Sequence, residues 1–454
     1  MRAPLSGIDR APVVAVAVAV ALGLAALPRT AAAQRADVEA DASLNVGYSA
    51  QTQTAFVPDP NGQPQDNKSS TTQRMFTEIR PGIAIQTGSP RLTWRASYIF
   101  AGTLSLVGDS LASASNQVTG SLTAEATPFT VFNFSVVAAQ GGTSFQISTR
   151  PADSGTPELR APDNPDTVSA TVSESAISQL GKQLQLQQTL SAGFNAPEDH
   201  FDQRNAAVSA SLGLDRLFEA NALGVELHGG VSWLIPLQMG RTSYQTYTSS
   251  VLGHWNHDFS LAWNGTVNAG VEQVFTDTGS RPLAFLPTGA LALRYSPRPD
   301  VGGGFEFSHG TATNLQVGSV SLTDRVGVHG AIAIDPFKSR AVAFSAGFLH
   351  NEPLGEVSAL VAAGTGNAVQ LDAGVSTALA KNVLGTARYS LAYQFDQGGG
   401  LPSTLAHIFF IGVTGAIRNT EKPLLPMPIR GHRVDGGDGD FPVVEEPPED
   451  LSKP

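Results

Sequence analysis

The sequence contains no cysteine, so disulfide bonds cannot stabilise the fold. Lysine is scarce, and the start and stop signals of helices are nearly absent. After residue 33, no apolar run approaches the roughly 20 residues that a transmembrane helix needs. An excess of basic charge is also missing, since the formal net charge is −11. This acidic balance argues against nucleic acid and against anionic surfaces as partners.

The first 33 residues have the three parts of a secretory signal peptide. Arg2 and Arg10 charge its start, residues 11–27 (APVVAVAVAVALGLAAL) form its apolar stretch, and residues 30–34 (TAAAQ) supply small residues for cleavage. We expect cleavage after Ala33, with no lipoprotein anchor because cysteine does not follow. The leader carries three arginines against one aspartate, so its removal changes the net charge from −11 to −13.

The rest of the chain repeats one pattern, in which apolar and polar residues alternate. In residues 223–233, for example, Leu223, Val225 and Leu227 alternate with Glu226 and His228. Such a period of two predicts β-strands. The clearest stretches are 37–48, 92–100, 118–126, 183–194, 223–233, 261–275, 369–376 and 388–395. At about 9 to 13 residues they exceed ordinary globular strands, and tilted strands of about 10 residues can cross a bilayer.

The connections alternate between short turns and longer polar segments. The turns lie at 87–91, 126–130, 180–183, 215–222, 256–260, 296–300, 335–340 and 379–382. The longer segments lie at 49–71, 107–116, 139–166, 196–204, 237–242, 276–282, 309–320, 349–366 and 396–403. This alternation is typical of bacterial outer-membrane barrels. Eight turns and nine loops join 18 strands within an expected range of 16–18, and an even count places both termini in the periplasm.

We therefore predict an all-β fold, a single transmembrane antiparallel up-and-down β-barrel over residues 34–418. Residues 419–454 are rich in proline, glycine and acidic residues, which predicts a disordered periplasmic tail. A barrel of this size leaves an aqueous lumen. Leu223 should then face lipid while Glu226 faces water. The alternative is a secreted soluble all-β protein, whose core would consist largely of alanine and glycine and whose strands would be unusually long.

The pattern over residues 35–418 resembles that of porin-like outer-membrane β-barrels, and residues 405–418 (LAHIFFIGVTGAIR) look like a barrel-closing strand. Family members usually end at an aromatic residue, whereas 36 residues follow this strand. Together with the proline-rich tail, the strand number also resembles the barrels of exopolysaccharide export systems. These resemblances imply a bacterial outer-membrane location, with outer-membrane lipid and the barrel-assembly machinery as partners. They add periplasmic polysaccharide-export components as candidate partners of the tail.

Charged and polar side chains at inward positions are the candidate lumen-lining residues. They are Glu78, Arg80, Arg95, Glu125, Glu226, His228, Asn264, Asn268, Glu272, Arg294, Glu306, Asp372 and Arg388. The full inward set, which also includes Asp215, holds ten acidic residues against five arginines and predicts a mild cation preference. In diffusion porins the third loop often folds into the lumen. Here the third loop, 139–166, carries the candidate constriction residues Arg150, Asp153, Glu158, Arg160 and Asp163.

Signals for catalysis and for cofactors are weak. No phosphate-binding glycine loop, zinc spacing or dinucleotide fingerprint occurs. His309 lies near Ser308 and Thr311, as in hydrolases that use such pairs, but no second carboxylate or histidine signature accompanies it. Residues 435–440 (DGGDGD) resemble half of a calcium loop, and are more simply an acidic linker. We predict no enzymatic activity, no cofactor and no metal.

Three functions remain open at this point. The first is export of a secreted polysaccharide across the outer membrane, which the tail and the strand number favour. The second is a general or solute-selective diffusion porin. The third is a structural or adhesion barrel without transport, which would require a blocked lumen. The inward faces are rich in glycine, serine and alanine, and such small side chains argue against blockage.

The topology can be tested with epitope tags on intact cells. Tags inserted in 49–71 and 349–366 should bind antibody, because these segments are expected on the cell surface. A tag at residue 440 should bind antibody only after the outer membrane is permeabilised. Surface labelling of the tag at residue 440 on intact cells would overturn the predicted orientation.

Overall fold

A computed structural model shows that every regular element within the residues it describes is a β-strand. The described residues are 37–55, 68–89, 91–107, 113–141, 167–198, 201, 204–235, 243–277, 283–298, 300–315, 319–335, 340–354, 366–395 and 403–418. Among them, no helix has the length and apolar character to span a bilayer. The predicted signal peptide and the predicted tail lie outside these residues, and both stay predictions.

Within the described residues, eighteen strands follow one another. They are β1 (Asp37–Ala55), β2 (Lys68–Ser89), β3 (Leu92–Val107), β4 (Ser113–Thr127), β5 (Thr130–Gly141), β6 (Thr167–Gln179), β7 (Leu184–Pro197), β8 (Asn205–Leu217), β9 (Asn221–Leu234), β10 (Tyr244–Ser260), β11 (Trp263–Thr276), β12 (Leu283–Arg298), β13 (Val301–Asn314), β14 (Ser319–Asp335), β15 (Arg340–Pro353), β16 (Gly366–Ala380), β17 (Val383–Phe395) and β18 (Ser403–Arg418). Each pairs antiparallel with the next.

The first and last strands close the sheet into a barrel. β1 pairs with β2 on one side and with β18 on the other, from Glu39 opposite Arg418 to Thr54 opposite Ser403. Closure leaves no open edge at this junction, and every backbone group in a bilayer must find a partner within the protein. The prediction of an antiparallel up-and-down barrel with 18 strands is therefore confirmed.

The apolar side chains lie on the outside of the barrel. Leu223, Val225 and Leu227 of β9 are 49–53% exposed, whereas inward Asn45 and Glu78 are 1% and 2% exposed. A soluble protein has the opposite arrangement, so the soluble alternative is wrong. An outward apolar surface around a polar interior is the arrangement of transmembrane barrels. The resemblance to porin-like outer-membrane β-barrels is thus confirmed at the level of the fold.

The strands are longer than the sequence predicted. They run from 12 residues in β5 to 22 in β2, against the 9 to 13 expected. The prediction of a loop at 309–320 is wrong, because β13 continues to Asn314 and β14 begins at Ser319. The prediction of a turn at 256–260 is also wrong, because β10 continues to Ser260 and β11 begins at Trp263. Beyond the bilayer, neither face of a strand has to be apolar. Alternation therefore fades there while backbone pairing continues, and the ends of such strands look like loops in the sequence.

The assignment of the two faces predicts which substitutions the barrel tolerates. Leu227→Arg and Val267→Arg place a charge on the lipid face and should destabilise the barrel by roughly 2–4 kcal/mol near the midplane. Thr266→Arg, on the inner face of the same strand as Val267, is the control and should assemble normally. The heat-modifiable gel mobility of the barrel measures how far each of the three variants assembles. Assembly of the Val267 variant together with failure of the Thr266 variant would show that the faces are reversed.

Candidate functional site

The inner wall of the barrel is the candidate site. All of the predicted lumen-lining residues lie on strand faces opposite to exposed apolar side chains. Glu226 and His228, for instance, alternate with Val225 and Leu227, and Glu306 lies between exposed Phe305 and Phe307. The effect of these residues on permeation stays a prediction. The structure brings some of them together and holds others apart.

One ion pair joins two of the predicted residues across β16 and β17. The Arg388 Nη2 atom donates to Asp372 Oδ1 at 2.8 Å, and the Gln370 side chain donates to Asp372 Oδ2 at 2.7 Å. The Asp372 and Arg388 side chains are only 6% and 15% exposed. Charge-assisted hydrogen bonds of this kind compensate for the removal of both groups from water.

A second buried carboxylate, Asp215 of β8, is held by groups from two other strands. Gln187 of β7 donates to it at 2.7 Å, and His254 Nδ1 of β10 lies 3.3 Å from it. Gly224 of β9 is paired with both Asp215 and His254 and so lies between them. A Cβ atom on Gly224 would lie 1.7 Å from Asp215 Oδ1, so glycine is required at this position.

The same arrangement recurs at the barrel closure. The Asn45 side chain of β1 donates to Glu78 Oε1 of β2 at 3.1 Å, and both residues are buried. On the other side, a Cβ atom on Gly412 of β18 would lie 1.8 Å from Asn45 Oδ1. Polar side chains thus lie flat along the wall over glycines of neighbouring strands. The role of these glycines depends on the register between strands, which the alternating pattern of the sequence does not reveal.

Another sector of the wall carries neutral hydroxyl groups. Five serines lie in register on the inner faces of β4 to β8, and these are Ser121, Ser135, Ser173, Ser191 and Ser209. Hydrogen bonds join Ser135 to Ser173 at 2.6 Å and Ser191 to Ser209 at 2.7 Å. The sequence analysis noted the small inward side chains but did not predict that the serines form one row. Serine at alternating positions of successive strands was the available signal.

The β13–β14 hairpin leaves the barrel wall at the end of the barrel opposite to Asp37 and Arg418. β12 and β13 pair only as far as Gly289 opposite His309. β13 nevertheless continues to Asn314, where it is still paired with Ser319 of β14. Beyond His309 the backbone ladder between β12 and β13 therefore ends, although the Thr288 hydroxyl of β12 still donates to the His309 carbonyl at 3.1 Å. The ladder between β14 and β15 likewise begins only at Ser321. Residues 310–315 and 319–320, whose only strand pairing is between β13 and β14, are here called the inner hairpin.

Polar contacts place the inner hairpin against the inner face of the wall. The backbone N–H of Thr311 donates to Glu272 Oε2 of β11 at 3.1 Å, and the Thr311 hydroxyl donates to Glu272 Oε1. The Asn205 side chain of β8 donates to the carbonyl of Leu315 at 2.8 Å. The same Asn205 side chain accepts a hydrogen bond from the N–H of Ile235. Glu272 and Asn205 are inward residues, so the hairpin lies inside the barrel.

Apolar contacts continue this interface. Val320 and Leu315 of the hairpin pack against Leu234 of β9 and Tyr244 of β10, and Leu234 is fully buried. Leu315 Cδ1 lies 3.6 Å from the position that a Cβ atom on Gly193 of β7 would occupy. The hairpin therefore extends along the inner wall from β13 to β7. An apolar cluster inside a barrel is unusual, because such interiors are generally polar.

The other predicted features give a mixed result. The predicted constriction residues of 139–166 lie outside the described residues. His309 has a carboxylate partner that the sequence did not reveal, since its Nδ1 atom lies 2.6 Å from Asp324 Oδ1. Thr311, however, is bonded to Glu272, and Ser308 lies on the opposite face of β13 from His309. Within the described ranges, no group of three or more histidine or acidic side chains could hold a metal.

No protein-family model and no curated protein matches this sequence. Solved barrels share its general shape. A BenF-like porin from Pseudomonas fluorescens is 11% identical, with a TM-score of 0.39, covering 84% of this chain and 99% of that one. The outer membrane protein opdK from Pseudomonas aeruginosa is 10% identical, with a TM-score of 0.37 and coverage of 84% and 99%. The ferric enterobactin receptor of Pseudomonas aeruginosa is 8% identical, with a TM-score of 0.39 and coverage of 82% and 80%. Such likenesses do not distinguish a porin from a receptor.

The packing of Asp215 over Gly224 makes a testable prediction. Gly224→Ala should displace the carboxylate from His254 and destabilise the barrel by about 1–3 kcal/mol, as overpacking does. Gly213→Ala is the matched control on the neighbouring strand. Its Cβ atom would meet only ordinary contacts, the nearest at 3.8 Å. The temperature at which each barrel loses its folded gel mobility measures the effect, and equal temperatures for the two variants would contradict this account.

Proposed function

We propose that this barrel is a diffusion channel for small polar solutes across the outer membrane. The observation that carries the proposal is the closed ring of 18 strands with a polar inner face and an apolar outer face. Barrels of 16 to 18 strands are wide enough to enclose water. A polar wall favours solutes that remain hydrated during passage.

The inner wall supports weak rather than strong charge selectivity. Four of the inward carboxylates, Glu78, Asp215, Glu272 and Asp372, already contact donors of the wall or, for Glu272, of the inner hairpin. They have less capacity to attract cations from solution than free carboxylates would have. These contacts agree with the mild cation preference that the count of ten inward acidic residues against five arginines predicts.

The neutral sector indicates which solutes fit best. The serine row on β4 to β8 offers donors and acceptors without charge. Hydroxylated neutral solutes can exchange hydrogen bonds with such a wall at little cost in desolvation. The channel should therefore pass small sugars and polyols as well as ions.

Export of a polysaccharide, the function first expected, gains no support from the described residues. The tail on which that expectation partly depended lies outside them. The diffusion-porin alternative is favoured instead, because the polar inner wall supplies the hydrogen-bonding groups that hydrated solutes need during passage. Binding of a periplasmic partner by the tail stays a separate proposal, as does assembly by the barrel-assembly machinery.

The test is conductance of the purified full-length protein in planar bilayers, together with swelling of liposomes in neutral sugars. We expect ohmic conductance, a reversal potential in a KCl gradient that shows mild cation preference, and swelling rates that fall with sugar size. Heat-denatured protein is the control. Absence of both conductance and swelling with correctly folded protein would refute the channel. Loss of surface polysaccharide in a null mutant with normal solute uptake would favour export.

A further inference from the structure

We propose that the inner hairpin is the constriction element of the channel, and that Glu272 and Asn205 are the positioning residues that hold it on the wall. This inference rests on the proposed function, since a constriction has meaning only in a conducting pore. It places the constriction at the β13–β14 connection, whereas the sequence pointed to residues 139–166.

The position of the inner hairpin is the first argument. Its contacts are with inward residues of β8 to β11 and with the inner side of Gly193 on β7. From β13 to β7 the hairpin passes six strands of an 18-stranded ring, which is a third of the circumference. Chain that lies inside the wall over this sector reduces the cross-section available to solutes near the mouth opposite to Asp37 and Arg418.

The hydrogen bonds of the inner hairpin are the second argument. When β13 leaves β12, backbone groups on its free edge lose their strand partners, and buried backbone groups need replacements. Glu272 supplies an acceptor for the N–H of Thr311, and Asn205 supplies a donor for the carbonyl of Leu315. These two side chains therefore replace two of the hydrogen bonds that pairing with β12 would provide. Removing them should weaken the inward position of the hairpin.

The sequence of β12 agrees with this arrangement. Pro287 lies inside β12, just beyond the last pair that β12 forms with β13. Proline has no N–H and is confined within sheets mainly to edge strands. Its presence here fits a strand whose β13 side is unpaired.

If the anchors are removed, the inner hairpin can adopt an alternative position beside β12. If the register of Gly289 opposite His309 continued, Thr288 would face Gly310 and Leu286 would face Ala312. β13 could thus return to the wall beside β12 and widen the lumen. Pro287 would leave this extended ladder imperfect, which favours the inward position while the two anchors are intact.

The first experiment removes the anchors from the full-length protein. Glu272→Ala and Asn205→Ala should each raise single-channel conductance several-fold in planar bilayers, and the double variant should raise it further. Thr311→Val should have a smaller effect, because the backbone N–H still bonds to Glu272. Asn133→Ala is the matched control for Asn205, since Asn133 is an asparagine of β5 bonded to Thr123 on the neighbouring strand. Heat-modifiable mobility establishes that each variant is folded.

A conservative variant separates tethering from the loss of a pore charge. Glu272→Gln removes the charge but keeps an acceptor for Thr311. If Glu272 tethers the hairpin, conductance should rise much less in the glutamine variant than in the alanine variant. If Glu272 acts only through its charge, the two variants should show equal conductance and equal shifts of ion selectivity, and the proposal fails.

A cysteine pair tests the position directly, because the chain has no cysteine of its own. Leu234→Cys with Val320→Cys joins two side chains that pack together across the lumen-facing interface. A bifunctional thiol reagent should link them and hold conductance low even with Glu272→Ala. A cleavable reagent, once reduced, should restore the high conductance. Failure to link, or unchanged conductance in all anchor variants of a conducting channel, would overturn the proposal. A wild-type protein that does not conduct would instead refute the proposed function.

Discussion

Backbone hydrogen bonding in a bilayer is the constraint on which the rest of this structure depends. Lipid offers no partner to an N–H or a carbonyl, so a sheet that crosses the membrane must close on itself. The pairing of β1 with β18 over the whole length from Glu39 to Thr54 achieves this closure. Once the sheet is closed, every strand has one face toward lipid and one toward the lumen, and the alternating sequence follows from that geometry.

The inner face has a different constraint, which is that buried charge must find a partner. Asp372 does so with Arg388, and Asp215 with His254 across the backbone of Gly224. Such pairs keep the wall polar while removing much of its attraction for free ions. The inner hairpin obeys the same requirement, since Glu272 supplies an acceptor where the wall no longer does. Polar side chains therefore make possible the departure of β13 from the wall.

The sequence predicted most of the fold because lipid imposes a strong pattern on it. Strand number, the faces of residues such as Leu227 and Glu226, and all of the short turns except the one placed at 256–260 follow from that pattern. The segment 309–320 was misassigned because it lies where lipid no longer selects side chains, and neither face of β13 there is apolar. The contacts of Asp215 with His254 and of Asn205 with Leu315 were beyond prediction, because they depend on register and on a hairpin that leaves the wall.

The lipid-facing residues and the lumen-facing residues bear differently on function. The membrane-spanning pattern specifies that a channel-sized barrel exists, yet barrels of the same architecture serve many purposes, and a fold alone does not identify a solute. What distinguishes one channel from another lies in the inner wall and at the mouth. Here those parts are a neutral serine row on one side and, on the other, an inward hairpin held by Glu272 and Asn205. Because the hairpin lies inside the barrel, and closure depends on the pairing of β1 with β18, its sequence can change without disturbing that closure. If the proposed channel is correct, solute selection and membrane insertion depend on separate residues of this chain.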